Sequence, residues 1–365
     1  MANAKALEFT IERNSAPVEA NERAKLLENP GFGNLFTDHM VVIRWSENLG
    51  WHDANIKKRG PIQMNPASSV LHYAQEIFEG MKAYRLADGS TALFRPEENA
   101  KRFQASARRM AMPELPVEVF LQSVEKLVEI DRDWFPSVDG GSLYLRPFMF
   151  ASEVFLGVRP AKEYLYMVIA SPAGEYFKSG ATAVTIWVSE DYSRAAPGGT
   201  GAAKCGGNYA ASLVAQAEAI EQHCDQVVFL DAAERRWVEE LGGMNLFFVM
   251  DDGKLITPPL SGTILPGITR ESIIVLAREE GLEVSEEPYS IEQWRGDATS
   301  GKLVETFACG TAAVVTSVGM VKSRHGEFTI GSGGPGQLTE KLKSRLVDIQ
   351  RGLSEDRHDW VKRLF

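Results

Sequence analysis

The sequence predicts an α+β fold, mixed α/β, in two domains with mixed sheets and flanking helices. Three observations carry this expectation. A length of 365 residues exceeds one ordinary domain and suits two. Short β-branched runs recur in both halves, interleaved with segments of helical period. A turn-rich stretch, Ser171-Pro172-Ala173-Gly174-Glu175-Tyr176-Phe177-Lys178-Ser179-Gly180, separates the halves. The expected division is a smaller N-terminal domain at 1–173 (1–30 peripheral), a connector at 174–182 and a larger C-terminal domain at 183–365.

In chain order, His39-Met40-Val41-Val42-Ile43-Arg44-Trp45 is β-branched and apolar, and reads as a strand. Residues 70–80 read as a turn feeding a helix or a strand end. Residues 83–86 and 91–94 bracket Asp88-Gly89, a hairpin signal. A helix is expected over 97–110, just past Pro96. A second is expected over 117–130, where Val119, Phe120, Val124, Leu127 and Val128 share one stripe. Strands follow at 142–150 and 163–170. The second half opens with a strand at 183–189, a Gly-rich segment and a long helix over 208–222. Strands are expected at 227–230, 237–240, 246–250, 254–256, 304–308 and 313–315, and helices at 269–281 and 338–351.

Composition excludes several functions. Hydrophobic residues at 44% and charged residues at 24% are ordinary for a soluble globular chain. A net charge of -10 argues against nucleic-acid binding, which needs a basic excess. Cys205, Cys224 and Cys309 are odd in number and show no CxxC spacing, which suits free thiols in a reducing cytoplasm. No His pair has ligand spacing, so no metal site is expected. No apolar run approaches the ~20 residues needed to span a bilayer, and residues 1–30 lack the apolar core of a signal peptide.

The chemistry concentrates around Lys204, in Gly198-Gly199-Thr200-Gly201-Ala202-Ala203-Lys204-Cys205-Gly206-Gly207-Asn208-Tyr209. A lysine with little bulk around it leaves room for a flat ligand, and a desolvated amine can form a Schiff base. Tyr209 supplies a phenol near the start of the next helix. In Glu239-Glu240-Leu241-Gly242-Gly243-Met244-Asn245, a carboxylate at a strand end beside two glycines can approach a ring nitrogen. Strand alternation lets only one of the two acids face a given pocket. The run from Thr257 to Arg270 ends where a helix begins, and orphan N–H groups there form an anion site. Gly310-Thr311-Ala312-Ala313 is a tight turn with a further hydroxyl, and an arginine such as Arg102 can clamp a phosphate. Together these groups describe a site for pyridoxal 5′-phosphate.

At this point the chain resembles the branched-chain amino acid aminotransferases of the fold type IV pyridoxal-phosphate class. The resemblance runs from about Phe32 to Leu346. It rests on Phe36-Thr37-Asp38-His39-Met40, Leu71-His72-Tyr73, Phe78-Glu79-Gly80-Met81-Lys82, Tyr144-Leu145-Arg146-Pro147, the Lys204 segment, Glu240-Leu241-Gly242-Gly243-Met244-Asn245 and Ile264-Leu265-Pro266-Gly267-Ile268-Thr269-Arg270. It implies an active site at the domain interface. Lys204 would hold the cofactor covalently and shuttle a proton. Glu240, rather than Glu239, would pair with the pyridine nitrogen, and Tyr209 with the phenolic oxygen. Arg102, Ile268, Thr269 and Thr311 would hold the phosphate. The substrate pocket would comprise Phe32, Tyr73, Phe78, Tyr144, Arg146, Tyr176 and Ala312, with Arg146 receiving glutamate's side-chain carboxylate. The implied reaction exchanges the amino group between leucine, isoleucine or valine and 2-oxoglutarate, in a homodimer. Two departures stand out: no CxxC follows the Gly-Thr turn, and Gly243 replaces a threonine of relatives. Competing readings are a D-amino acid aminotransferase or aminodeoxychorismate lyase of the same fold, or a non-catalytic binding protein. The Tyr-x-Arg-Pro and Asp-His-Met motifs favour the branched-chain reading. His72 and Cys205, beside these motifs, read as packing residues.

Overall fold

A computed structural model describes residues 7–138, 140–174 and 183–365. The chain forms two units: Met1–Tyr176 with Ala203–Gly206 and Gln350–Phe365, and Phe177–Ala202 with Gly207–Ile349.

The first unit carries strands β1 (Phe9–Ile11), β2 (His39–Ser46), β3 (Gly50–Lys58), β4 (Glu76–Phe78), β5 (Met81–Arg85), β6 (Thr91–Phe94), β7 (Ser142–Ala151) and β8 (Glu163–Ala173). Their order is β1-β3-β2-β8-β7-β5-β6, with β4 on β7. Helices α1 (Ala20–Leu27), α2 (Val70–Tyr73), α3 (Pro96–Arg109) and α4 (Val117–Ile130) accompany them. The α4 stripe of Phe120, Val124, Leu127 and Val128 is buried with Phe103 and Tyr166 in the main core. The Asp88-Gly89 turn joins β5 to β6 as an antiparallel pair, with Gly89 at φ +84°. Residues 7–27, expected to be peripheral, add β1 parallel to β3 and helix α1. β3 carries polar residues along most of its length and owes its place to pairing with β2.

The second unit holds β9 (Val184–Ser189), β10 (Gln226–Leu230), β11 (Val238–Leu241), β12 (Met244–Met250), β13 (Leu255–Thr257), β14 (Val284–Glu286), β15 (Leu303–Gly310), β16 (Val314–Ser323) and β17 (Gly326–Thr329). Its helices are α5 (Gly206–Ala210), α6 (Leu213–Glu221), α7 (Ile268–Glu279), α8 (Ile291–Ser300) and α9 (Gln337–Gln350). Strands β11-β10-β9-β16-β15-β12 are paired in that order, and β12 pairs back onto β11. Six strands therefore close on themselves, which removes free edges. Phe248, Trp294, Leu246 and Val318 are among the side chains of this unit's core. The helix expected over 208–222 breaks into α5 and α6, because the Ser212 hydroxyl donates to the Tyr209 carbonyl at 2.7 Å and competes with the helical ladder.

Two segments depart from the expected division. Residues 350–365 belong to the first unit, because the final strand β18 (Val361–Arg363) pairs antiparallel with β6. The Lys204 segment also belongs there. The Phe78 N–H donates to the Lys204 carbonyl at 2.9 Å, and the Lys204 N–H donates to Ser106 Oγ at 2.9 Å. With these additions the first unit is the longer one. Most of the expected connector, 174–182, lies outside the described residues.

The ring of Phe120 is fully buried and stands 5.6 Å from that of Phe103 and 6.2 Å from that of Tyr166. Phe120→Ala is expected to destabilise the protein by about 3–5 kcal/mol, read as a lower urea midpoint with retained helical circular dichroism.

Candidate active site

The candidate residues fall in two clusters, one in each unit. In the first, β4 and β7 lie side by side, Phe78 opposite Phe148, and β7 presents Tyr144 and Arg146 at alternate positions on one face. The Arg146 guanidinium carbon lies 4.8 Å over the Phe78 ring and 5.5 Å over that of Tyr144, and Arg146 Nη2 donates to Tyr144 Oη at 3.2 Å. Arg146 Nε is buried without a hydrogen-bond partner among the described residues. Phe32 packs edge-on against Tyr144, ring centroids 5.0 Å apart. Lys204 Nζ sits 5.1 Å from the Phe78 ring centre. Gly80 is required here, since a Cβ on it would overlap Tyr144 Oη.

Behind this group lies a buried ion pair. Arg102 donates to both carboxylate oxygens of Glu79, Nε and Nη2 each at 2.8 Å, and Asn99 Nδ2 adds a third bond at 2.8 Å. Glu79 is fully buried and Arg102 nearly so. Burial acts to raise the Glu79 carboxyl, but the Arg102 guanidinium, helped by Lys204 and Asn99, outweighs it and holds the group below the usual carboxylate range. Nearby, burial raises the Glu76 carboxyl against the opposing pull of the Gly206 N–H and Arg146.

In the second unit, Glu240 pairs across the β11–β12 hairpin with Asn245. Gly242, at φ +51°, takes the left-handed turn that glycine tolerates best. The Glu240 carboxylate is buried. It accepts from the Leu265 N–H at 2.5 Å and from Asn245 Nδ2 at 3.4 Å, and forms an ion pair with Arg194, Nε to Oε2, at 3.3 Å. Arg194 is itself tied down, its Nη2 donating to the carbonyls of Gly201 and Thr263. Ile268 and Thr269 are the first residues of α7, and no side chain caps that helix start. A Cβ on Gly267 would overlap Asn245 Oδ1, so glycine keeps the turn against the hairpin. Thr311 and Ala312 lie in the turn between β15 and β16, where Gly310 pairs with Val314. Val314 takes φ +63°, a strained value for a β-branched residue. Tyr209 lies in α5, and a Cβ on Gly243 would stand 3.5 Å from its ring. Gly243 therefore leaves open a place where a larger residue would touch the phenol. Burial pushes the Cys309 thiol up to about 12, leaving it inert.

The structure thus gathers Phe32, Phe78, Tyr144, Arg146, Lys204 and Arg102 in the first unit. It places Tyr209, Glu240, Ile268, Thr269, Thr311 and Ala312 in the second. Tyr73 stands apart, 40% exposed, with its hydroxyl donating to the Leu156 carbonyl. Tyr176 lies outside the described residues. Cys205 is buried in the core, whereas His72 is exposed with its ring bonded to the Pro66 carbonyl. Sequence reasoning missed the parts played by Glu79, Asn99, Arg194 and Asn245. Only Glu79 and Asn245 stood inside quoted motifs.

The family model for class IV amino-transferases matches residues 76–321. The chain belongs to the class IV aminotransferases. It is 56% identical to the branched-chain-amino-acid aminotransferase of Mycolicibacterium smegmatis, over 99% of this chain and 100% of that one. It is 46% identical to branched-chain-amino-acid transaminase 1 of Bacillus subtilis, over 91% and 93% respectively. Among solved structures it resembles the Escherichia coli branched-chain amino acid aminotransferase, with TM-score 0.74 and 29% identity over 88% of this chain and 99% of that one. It matches a second branched-chain amino acid aminotransferase, from T.th. and solved with pyridoxamine 5′-phosphate, equally well, with TM-score 0.74 and 29% identity over 88% and 98%. Each cluster holds groups that suit such a cofactor: in the first an amine and an arginine fixed by a buried acid, in the second a buried carboxylate held by a guanidinium and a helix start without a side-chain cap.

The Glu79–Arg102 pair generates a test. A carboxylate with a depressed folded pKa adds stability above its ordinary value of 4.5, and that stability is lost as pH falls through the folded value. Glu79→Gln, which removes one partner of a buried pair, is expected to destabilise by about 3–5 kcal/mol at neutral pH. The gap from wild type should narrow as urea unfolding is repeated at progressively lower pH.

Proposed function

We propose that the chain transfers the amino group between L-leucine, L-isoleucine or L-valine and 2-oxoglutarate, giving branched-chain 2-oxo acids and L-glutamate. The observation that carries this reading is full-length identity of 56% to a branched-chain-amino-acid aminotransferase, joined to Arg146 seated on aromatic rings with one buried N–H unanswered. Pyridoxal 5′-phosphate, when bound, supplies an aldehyde that takes the amino group and a ring that draws electrons from the substrate α-carbon. Lys204 Nζ holds the cofactor and moves the proton at the substrate Cα. Glu240 holds a proton at the ring nitrogen, kept in place by Arg194 and Asn245. Tyr209 hydrogen-bonds the ring's phenolic oxygen. Arg102, Thr311 and the backbone N–H groups of Ile268 and Thr269 bind the phosphate, and Glu79 fixes the direction of Arg102.

Phe32, Phe78 and Tyr144, grouped around Arg146, form the walls for an aliphatic side chain, whose burial is worth roughly 1.5–3 kcal/mol. Arg146 answers the acidic side chain in the other half-reaction, so one pocket serves both substrates. We also infer a homodimer. Leu71, Val154, Leu156 and Val158 are 56–87% exposed, and the Tyr73–Leu156 and Phe155–Ala67 hydrogen bonds hold their segments together as one apolar patch of the kind that partners cover. No helix among the described residues is long and apolar enough to cross a membrane. Three buried free cysteines suit a reducing compartment, and we place the enzyme in the cytoplasm.

Lys204→Ala is expected to abolish turnover and the bound cofactor's visible absorbance. Arg146→Ala should slow the glutamate half-reaction more than the leucine one, by roughly ten- to a hundredfold for a lost charged hydrogen bond of about 1.5–3 kcal/mol. Single-turnover bleaching with each amino acid measures the difference, and a preference for D-alanine over L-leucine would overturn the substrate assignment. Val158→Asp, on the exposed patch, should shift sedimentation toward the monomer.

A further inference from the structure

Strand β11 turns Glu239 and Glu240 to opposite sides. Glu240 meets Arg194, Asn245 and Leu265. Glu239 borders a cavity of about 210 Å³ that lies wholly within the second unit. The cavity walls are mainly apolar, with Trp237, Ile264 and four prolines. Its polar lining is Asp231, Glu239, Ser261 and Thr263, and no basic side chain lines it. The Asp231 carboxylate is satisfied by backbone N–H groups of its own turn, from Ala233, Glu234, Arg236 and Trp237.

Glu239 is different. It is only 6% exposed. Its Oε1 accepts from the Thr263 hydroxyl at 2.5 Å, but Oε2 is buried with no hydrogen-bond partner among the described residues. Leaving a carboxylate oxygen out of water without a donor is costly, and burial accordingly raises this carboxyl, with Thr263 and Arg194 pulling the other way. Two nearby cations are committed elsewhere. Arg194 serves Glu240 and the Thr263 carbonyl. Arg236 lies 4.9 Å over the Trp237 ring and faces Glu292 at 3.6 Å. Neither lines the cavity.

We propose that this cavity is a second binding site, for a small organic cation with a hydrocarbon body, of the alkylguanidinium or alkylamidinium type, whose N–H groups pair with Glu239 Oε2. Two carboxylates with no basic lining select a cation, and the apolar walls select a hydrocarbon body. A planar forked donor fits a carboxylate with one oxygen unanswered. Thr263 links the site to the catalytic carboxylate, since its hydroxyl serves Glu239 while its carbonyl holds Arg194. The inference does not depend on which amino acid the enzyme transaminates.

Isobutylguanidinium is a suitable probe, because it is not a nucleophile at neutral pH and does not compete with Lys204 for an aldehyde. Calorimetric titration of the cofactor-loaded enzyme should show saturable one-to-one binding. Binding should fall at least tenfold for the neutral isobutylurea and for the Glu239→Gln variant. It should vanish in Ala232→Leu, which narrows the cavity, and persist in excess 4-methylvalerate, an aliphatic acid that competes for the substrate pocket. No saturable binding would mean that the cavity holds water only. Equal binding of the urea, undiminished binding in either variant, or displacement by 4-methylvalerate would equally overturn the proposal.

Discussion

A carboxylate removed from water must be answered by a cation or by donors, and three buried glutamates set the terms for both clusters. Glu79 is answered in full, by a two-pronged Arg102 and by Asn99. Glu240 is answered by one guanidinium, one backbone N–H and one amide. Glu239, its neighbour in the chain, is answered on one oxygen only. These differences sort the three acids by role. The first orients an arginine, the second is held on both oxygens, and the third, with one oxygen unanswered, belongs to a residue that borders a cavity.

The fold supplies the rigidity that such pairing needs. Glu240 sits on a strand of a closed six-strand ring, one residue from a two-glycine turn. Asn245 stands directly opposite and touches the turn before α7. A single hairpin therefore couples the acid to the helix start that would receive a phosphate. In the first unit, β4 and β7 align Phe78, Tyr144 and Arg146, while Ser106 and β4 hold the backbone of the Lys204 segment. In each cluster candidate site residues are fixed by neighbours outside the candidate set, Arg102 by Glu79 and Glu240 by Arg194.

Much of this was legible from sequence. The helix expected over 117–130 has the bounds of α4, with Phe120, Val124, Leu127 and Val128 buried and Val119 partly so, and the Asp88-Gly89 turn lies where expected. The candidate site residues could be named from sequence as well, because most sit in short motifs rich in glycine and proline. Other elements were hidden. β3 is too polar to show alternation and becomes a strand through β2. Helix α8 carries a Ser290–Gln293 capping box, a local signal that was there to be read. The break after Tyr209 hangs on one serine hydroxyl bonding backward.

By itself the sequence determined the element types, the chemical inventory and the family, since periodicity, turn residues and contiguous motifs are local properties of a chain. Only the tertiary structure decided the pairings. Glu79 finds Arg102 across 23 positions, Arg194 finds Glu240 from a loop with no motif of its own, and residues 350–365 return to the first sheet. Such meetings leave no periodic trace, because they depend on which strands lie side by side and which faces they turn inward. The same holds for the two adjacent acids of β11: alternation requires that they part, but the packing around them settles which one meets a guanidinium and which one meets a cavity.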